Sequence, residues 1–266
     1  MKYEYLYKIS NVLIQINNIN LEDEWEKFKV KEEFIVAEDI LISLKNIIPI
    51  SFNKDIETVD FRESLYHMLV SNRDILLAND DYSKAYVLGT NKKVVNIFLC
   101  YLFCTRVSYI QMIQLHSSLI DYKGKGILFL GPSGIGKTTQ AELWNKYRDA
   151  LIINGDIVFV QETEENFLGW GTPWHGSSPY CENTSVPVHA MIVLKQESEN
   201  SIRELTGFEK VTAVSNNVFY PQWLENGMEL CLETLDHLLS VIPVYELSCR
   251  PEEEAVRLTE ETLFGN

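Results

Sequence analysis

The sequence predicts an α/β nucleotide-binding core with a smaller mixed α+β module ahead of it. The core is marked by the run Gly131-Pro132-Ser133-Gly134-Ile135-Gly136-Lys137-Thr138, which lies between an apolar strand at residues 127–130 and a helical stretch at 138–147. A second apolar strand at 151–153 follows, so loop, helix and strand compose a βαβ unit. Before residue 93 the signals are mixed: alternation at 11–16 predicts a strand, whereas the spacing at 38–47 and across 55–77 predicts helices. No repeat or catalytic motif lies there. The polar turn Gly89-Thr90-Asn91-Lys92, after a short strand at 85–88, sets the boundary: an N-terminal module over 1–93 and a nucleotide-binding domain over 94–266.

Bulk properties narrow the function classes. A chain of 266 residues that is 46% hydrophobic, 23% charged and 11% aromatic has the composition of a folded protein and lacks the low hydrophobicity of disordered segments. Its net charge of -15 argues against a general nucleic-acid binder, which presents a basic face to phosphates. No apolar run approaches the roughly 20 residues that span a bilayer, and Met1-Lys2-Tyr3-Glu4-Tyr5 opens no signal-peptide core. A cytoplasmic protein without a membrane partner is expected. Cys100, Cys104, Cys181, Cys231 and Cys249 show no zinc-site spacing, and the four-residue step from Cys100 to Cys104 predicts two buried thiols on one helix face.

Within the core, apolar residues recur helically over 94–112 and lead into a strand at 114–122. Lys123-Gly124-Lys125-Gly126 then reads as a hairpin turn. Beyond the βαβ unit, glycines and prolines crowd 169–179 into a long loop, and 188–194 resumes as a strand. Met228, Cys231, Leu235, Leu238, Leu239 and Ile242 mark a helix that Pro243 stops. A short strand at 244–249 follows, and Pro251 ahead of Glu252-Glu253-Glu254 opens a last helix, since acidic side chains suit the positive end of its dipole.

The glycine-rich run matches the phosphate-loop pattern throughout. Gly131, Gly134 and Gly136 let backbone N–H groups turn toward phosphates, Lys137 brings a charge, and Thr138 a hydroxyl for Mg²⁺. The nucleotide-binding candidates are therefore Gly131, Pro132, Ser133, Gly134, Ile135, Gly136, Lys137, Thr138 and the adjacent Thr139, with ATP and Mg²⁺ as cofactors. A phosphate-bound Mg²⁺ needs a carboxylate from the neighbouring strand, and Asp156 follows Leu151-Ile152-Ile153-Asn154-Gly155 at the place where open sheets bind ligands. Hairpin pairing sets His116 opposite Gly131 or, shifted by one residue, opposite Ser133; either register puts an imidazole beside the loop, for proton handling or as a structural histidine. Trp170, Pro173, Trp174 and His175 sit in the glycine-rich loop, where aromatics either grip a ligand or pack the loop down.

Taken in order, these residues resemble one family. Leu115-His116-Ser117-Ser118-Leu119, a short turn, Ile127-Leu128-Phe129-Leu130 running into the glycine loop, and an aspartate after the next strand are similar to the HPr kinase/phosphorylase-like group. Its nucleotide-binding core is related to that of ATP-dependent phosphoenolpyruvate carboxykinase. The resemblance spans residues 114–195 and implies a P-loop core of HPr kinase/phosphoenolpyruvate carboxykinase type. It implies that His116 and Asp156 act together in phosphoryl transfer beside Lys137, and that Thr138 and Asp156 hold the metal. Where HPr kinases carry two adjacent aspartates this chain has Gly155-Asp156, and Thr139 stands where they carry an acidic residue. Gly171-Thr172-Pro173-Trp174-His175-Gly176 and Pro243-Val244-Tyr245-Glu246-Leu247 look like the shorter members that accompany maturation of ribosomally made peptides.

The resemblance implies an ATP-dependent kinase that transfers the γ-phosphoryl group to a hydroxyl, that of Ser, on a protein or precursor peptide. The alternative is a nucleotide-binding accessory protein that switches affinity for a partner with little or no transfer. Both readings are compatible with a homo-oligomer.

Overall fold

The structure, a computed structural model, describes residues 4–17, 21, 23–30, 40–45, 67–71, 74–88 and 91–265. Its contacts divide the chain into two units, Met1–Arg106 and Val107–Asn266.

The first unit carries a sheet of β1 (Glu4–Ile9), β2 (Val12–Asn17), β3 (Ile40–Lys45), β4 (His67–Ser71), β5 (Asp74–Ala78) and β6 (Lys84–Leu88), in the order β1-β2-β3-β6-β5-β4. Alternation places Tyr7, Ile9, Ile14 and Ile16 in the core, where Tyr7 meets Trp25 edge-on at 5.2 Å between ring centres. Two expectations are corrected here. Residues 40–45, expected to be helical, form a strand that pairs in parallel with β2 on one side and β6 on the other. Residues 67–71 and 74–77, also expected to be helical, lie in the antiparallel pair β4–β5, while 55–66 fall outside the described residues. Short apolar runs fit either period, and the strands that flank them decide the outcome. Helix α1 (Lys92–Ser108) ends before Met112, and its Cys100 and Cys104 are both buried, as their spacing predicts. All five cysteines are buried thiols outside any disulfide.

The second unit comprises β7 (Met112–Tyr122), β8 (Lys125–Leu130), α2 (Lys137–Arg148), β9 (Leu151–Asn154), β10 (Ile157–Glu162), β11 (Phe167–Trp170), β12 (Ser185–Gln196), β13 (Ser201–Glu204), α3 (Gly207–Ser215), β14 (Val218–Phe219), α4 (Gly227–Val241), β15 (Val244–Cys249) and α5 (Glu253–Phe264). The sheet order is β11-β10-β7-β8-β12-β15-β13, and β11 also pairs back onto β12, so that five strands close a ring. Strands β8, β12 and β15 are parallel. Both β8 and β9 run antiparallel to β7, so the two strands joined through α2 are parallel to each other with β7 between them.

Period-two alternation feeds two apolar layers. Leu128 and Leu130 enter one cluster with Leu115, Leu235 and Leu238, while Ile127 and Phe129 enter the other with Trp144, Leu247 and Val256. Helix α4 thus covers one face, and α2 with α5 the other. Among the described residues, no helix is long and apolar enough to cross a membrane.

Candidate functional site

The site begins where β8 ends. Gly131, Gly134 and Gly136 take φ of 141°, 79° and 112°, a region L side chains rarely adopt, and α2 starts directly after Gly136. A helix N-terminus leaves backbone N–H groups without intrahelical partners, so this turn favours an anion. Lys137 is only 6% exposed, and its Nζ donates to Gly131 O at 2.9 Å and Pro132 O at 3.3 Å. Burial pushes its pKa down, partly offset by the negative charge of Asp156. Pro132, Ser133, Gly134 and Thr139 are exposed, and Ile135 is half-buried with its O accepting from Gln196 Nε2 at 3.1 Å.

His116 reaches this loop through the β7–β8 hairpin. Lys123 and Gly124, at φ 54° and 76°, form the two-residue turn, with Tyr122 opposite Lys125 and Ser117 opposite Leu130. Continuing that register sets His116 opposite Gly131, the first of the two alternatives. On its other edge β7 meets the kink between β9 and β10: Ile157 pairs with His116, and Ser117 N donates to Asp156 O at 2.9 Å. Asn154 shapes the kink, its Oδ1 accepting from the N–H groups of Asp156 and Ile157 at 2.9 and 3.0 Å. His116 Nε2 consequently lies 3.0 Å from Asp156 Oδ1. The hydrogen bond from His116 holds the Asp156 carboxyl below the usual carboxylate range against the opposing effect of burial, helped by the charges of His116, Lys137 and His175.

The glycine-rich loop is packed down rather than displayed. Trp174 is buried and tilted against Phe159 at 6.3 Å between ring centres, and Trp170 Nε1 donates to Gln161 Oε1 at 3.2 Å. Asn154 Nδ2 donates to Thr172 O at 3.0 Å and Trp174 O at 3.1 Å, so one side chain ties this loop to the Asp156 kink. His175 Nδ1 contacts Ser178 O. Gly176 (φ 60°) sits so close that a Cβ there would lie 2.2 Å from Asp156 Oδ2.

Thr138 Oγ1 donates to Gly155 O at 3.1 Å, which brings its hydroxyl beside the peptide preceding Asp156. Mg²⁺ bound with phosphates needs only one or two carboxylates from the protein, and a hydroxyl next to one carboxylate fits that donor set. Among the described residues no group of three or more His, Cys, Asp or Glu forms a metal cage. Gly155 has a steric reason: a Cβ there would lie 1.8 Å from Ser178 Oγ. Gly155→Ala is therefore expected to cost about 1–3 kcal/mol of stability through overpacking. Denaturant melts should show most of that loss recovered in Gly155→Ala/Ser178→Gly; an unaltered midpoint in the single variant would refute the contact.

One residue absent from the sequence reading completes the site. Asn217, buried ahead of β14, accepts from Gly131 N through Oδ1 at 3.0 Å and from His116 N through its backbone O at 2.8 Å. Its Nδ2 donates to Ala213 O of α3 at 2.9 Å. The glycine loop and the histidine strand thus share one anchor.

The family model described as SynChlorMet cassette protein ScmC matches residues 87–250. HPr kinase/phosphorylase of Mycoplasmopsis pulmonis (strain UAB CTIP) is 24% identical over 169 residues, 63% of this chain and 50% of that protein. The chain therefore spans about half the length of the curated relative it matches, and it is similar to the HPr kinase/phosphorylase group as its motif order predicts. Among solved structures, the Hpr(Ser) kinase/phosphatase from Coxiella burnetii aligns with a TM-score of 0.35 and 11% identity, over 56% of this chain and 95% of that one.

Proposed function

Because this chain belongs to the SynChlorMet cassette protein ScmC family, we propose that it is an ATP-dependent kinase of HPr kinase-like type, phosphorylating a Ser hydroxyl on a protein or ribosomally made precursor peptide. In this reading residues 94–266 form a P-loop kinase domain and residues 1–93 a separate module. The observation that carries it is the His116–Asp156 pair, 3.0 Å apart, beside a glycine loop with a buried lysine.

Phosphoryl transfer is mostly positioning and charge stabilisation, and these residues supply both. Loop N–H groups and Lys137 hold the phosphates. Thr138 and Asp156 would hold Mg²⁺, which when bound neutralises charge on the phosphate oxygens. Asp156 orients the His116 ring, and the imidazole, 41% exposed, can take or relay the proton of an incoming hydroxyl. A second reading, a nucleotide-binding accessory protein without transfer, is favoured by Gly155: Ser178 fills the space a second carboxylate would need.

The test is incubation with Mg·ATP and a small Ser-containing peptide encoded beside this chain's gene, read by mass spectrometry. A mass gain of one phosphate, absent in Lys137→Ala, is expected. ATP-dependent peptide binding without any mass gain would select the accessory reading.

A further inference from the structure

Strands β7 and β8 stay paired as far as Ser117 opposite Leu130. Ser117 N points to the other edge of β7, where it donates to Asp156 O. In an antiparallel ladder the pair due to exchange hydrogen bonds across the hairpin is therefore the next one, His116 with Gly131. Asn217 takes both N–H groups instead: His116 N donates to its backbone O at 2.8 Å, and Gly131 N donates to its Oδ1 at 3.0 Å. One residue thus stands in the ladder where the strand of the imidazole meets the first glycine of the loop.

The other two polar groups of Asn217 are committed to the last turn of α3: its N donates to Val214 O at 2.9 Å and its Nδ2 to Ala213 O at 2.9 Å. A backbone N–H facing Oδ1 and a backbone carbonyl facing Nδ2 fix which way the amide points. The residue is buried, so each bond is costly to lose. Gly131 is consequently gripped on both sides, its N–H by Asn217 and its O by Lys137 Nζ at 2.9 Å. Only an asparagine meets all of these demands. Asp lacks the donor for Ala213 O, Gln carries an extra methylene, and Ala keeps the backbone bonds alone.

We propose that Asn217 is a positioning residue for phosphoryl transfer: it sets the separation between phosphates on the glycine loop and the His116 imidazole, an inference that rests on the kinase reading. In that step the acceptor oxygen bonds the γ-phosphorus, the bond from that phosphorus to the bridging oxygen breaks, the hydroxyl proton passes to His116, and ADP leaves with the bridging oxygen. The imidazole and the phosphorus are carried by different strands, so their spacing depends on whatever joins β7 to the loop beyond the last ladder pair. Asn217 is that joint. A misplacement of about 1 Å in such an arrangement can cost about 10²-fold in rate. Asn217 acts through Gly131 and His116, not on the reacting atoms.

The experiment compares Asn217→Ala and the isosteric Asn217→Asp with wild type, in the full chain, by three readouts: hydrogen exchange of the Gly131 amide, calorimetric titration with Mg·ATP, and phosphopeptide formation from the Ser-containing peptide above. In Asn217→Ala the Gly131 amide should exchange at least about tenfold faster, as befits one lost hydrogen bond. Its Mg·ATP affinity should stay within about threefold while turnover falls at least about a hundredfold. Asn217→Asp keeps the acceptor for Gly131 N, so the amide should stay protected and turnover remain within about tenfold of wild type. A merely structural residue would lower the melting temperature and leave turnover below the melt unchanged. That result overturns the proposal, as does unaltered Gly131 exchange in Asn217→Ala, or an equal fall in affinity and turnover. Should Asn217→Ala not fold, Asn217→Asp decides: a protected Gly131 with turnover lost would overturn it. Wild type that forms no phosphopeptide would overturn the kinase reading and the transfer role together, whereas equal turnover in wild type and Asn217→Ala overturns the positioning role alone.

Discussion

Lys137→Ala is expected to weaken Mg·ATP binding at least about a hundredfold, since a charge-assisted hydrogen bond is worth roughly 1.5–3 kcal/mol and in the proposed site the lysine would serve more than one phosphate oxygen. The geometry explains why the effect should be large. Lys137 is buried among loop carbonyls, with Nζ on Gly131 O and Pro132 O, so its amine is already held within the turn that would receive the phosphates. Burial depresses its pKa, so a phosphate anion would favour the charged form and compensate the desolvation. Truncation removes the charge and two bonds to loop carbonyls, and with them the desolvation cost of the buried amine, so the two changes offset each other in the unliganded protein. The backbone positive-φ turn and the apolar packing of β8 do not depend on the amine, so the thermal midpoint should move by only a few degrees, about 1 kcal/mol or less. Titration calorimetry beside a thermal melt separates the two effects. Equal affinity for wild type and variant would remove the glycine loop as the phosphate site.

What the sequence made legible follows from how local each determinant is. The β7–β8 hairpin was readable because its turn chemistry is contained in Lys123-Gly124-Lys125-Gly126, but strands buried on both faces left two registers open, and the turn at Lys123 and Gly124 decides between them. Residues 40–45, 67–71 and 74–77 were misread because their pairing partners decide their state, and β3 lies between strands brought from distant parts of the chain. Trp174 shows the same limit at a side chain. An aromatic on a glycine-rich loop fits a ligand platform and loop packing equally, and Asn154, twenty residues earlier, decides for packing by tying the loop inward through Thr172 O and Trp174 O. Nothing local marks Asn217 either, whose bond to Gly131 N spans 86 residues of chain. Ring closure by β11 onto β12 likewise depends on pairing that no short motif announces.

His116→Ala should separate chemistry from binding. The imidazole touches neither the loop carbonyls nor Lys137 in the hydrogen bonds described; its side-chain partner is Asp156 Oδ1 at 3.0 Å. ATP affinity is therefore expected to stay within about twofold, while phosphopeptide formation falls by about 10²–10⁴-fold, the range for a positioned general acid or base. A second readout concerns Asp156 itself. The bond from His116 is the largest influence on its lowered pKa, so the variant should move the Asp156 pKa upward, visible by carboxyl carbon NMR. The sign of the pH dependence follows: a carboxyl with a depressed folded pKa contributes stability that is complete above the ordinary carboxylate value near ~4 and is lost as pH falls through the lowered one. The melting temperature of wild type should consequently drop more steeply than that of His116→Ala on acidification below that value. A structural histidine would alter the melt and leave turnover intact; a catalytic one alters turnover at neutral pH, where the Asp156 carboxylate is ionised in both proteins. Full phosphopeptide formation by His116→Ala would return the residue to a structural role and leave the kinase reading without its proton-handling group.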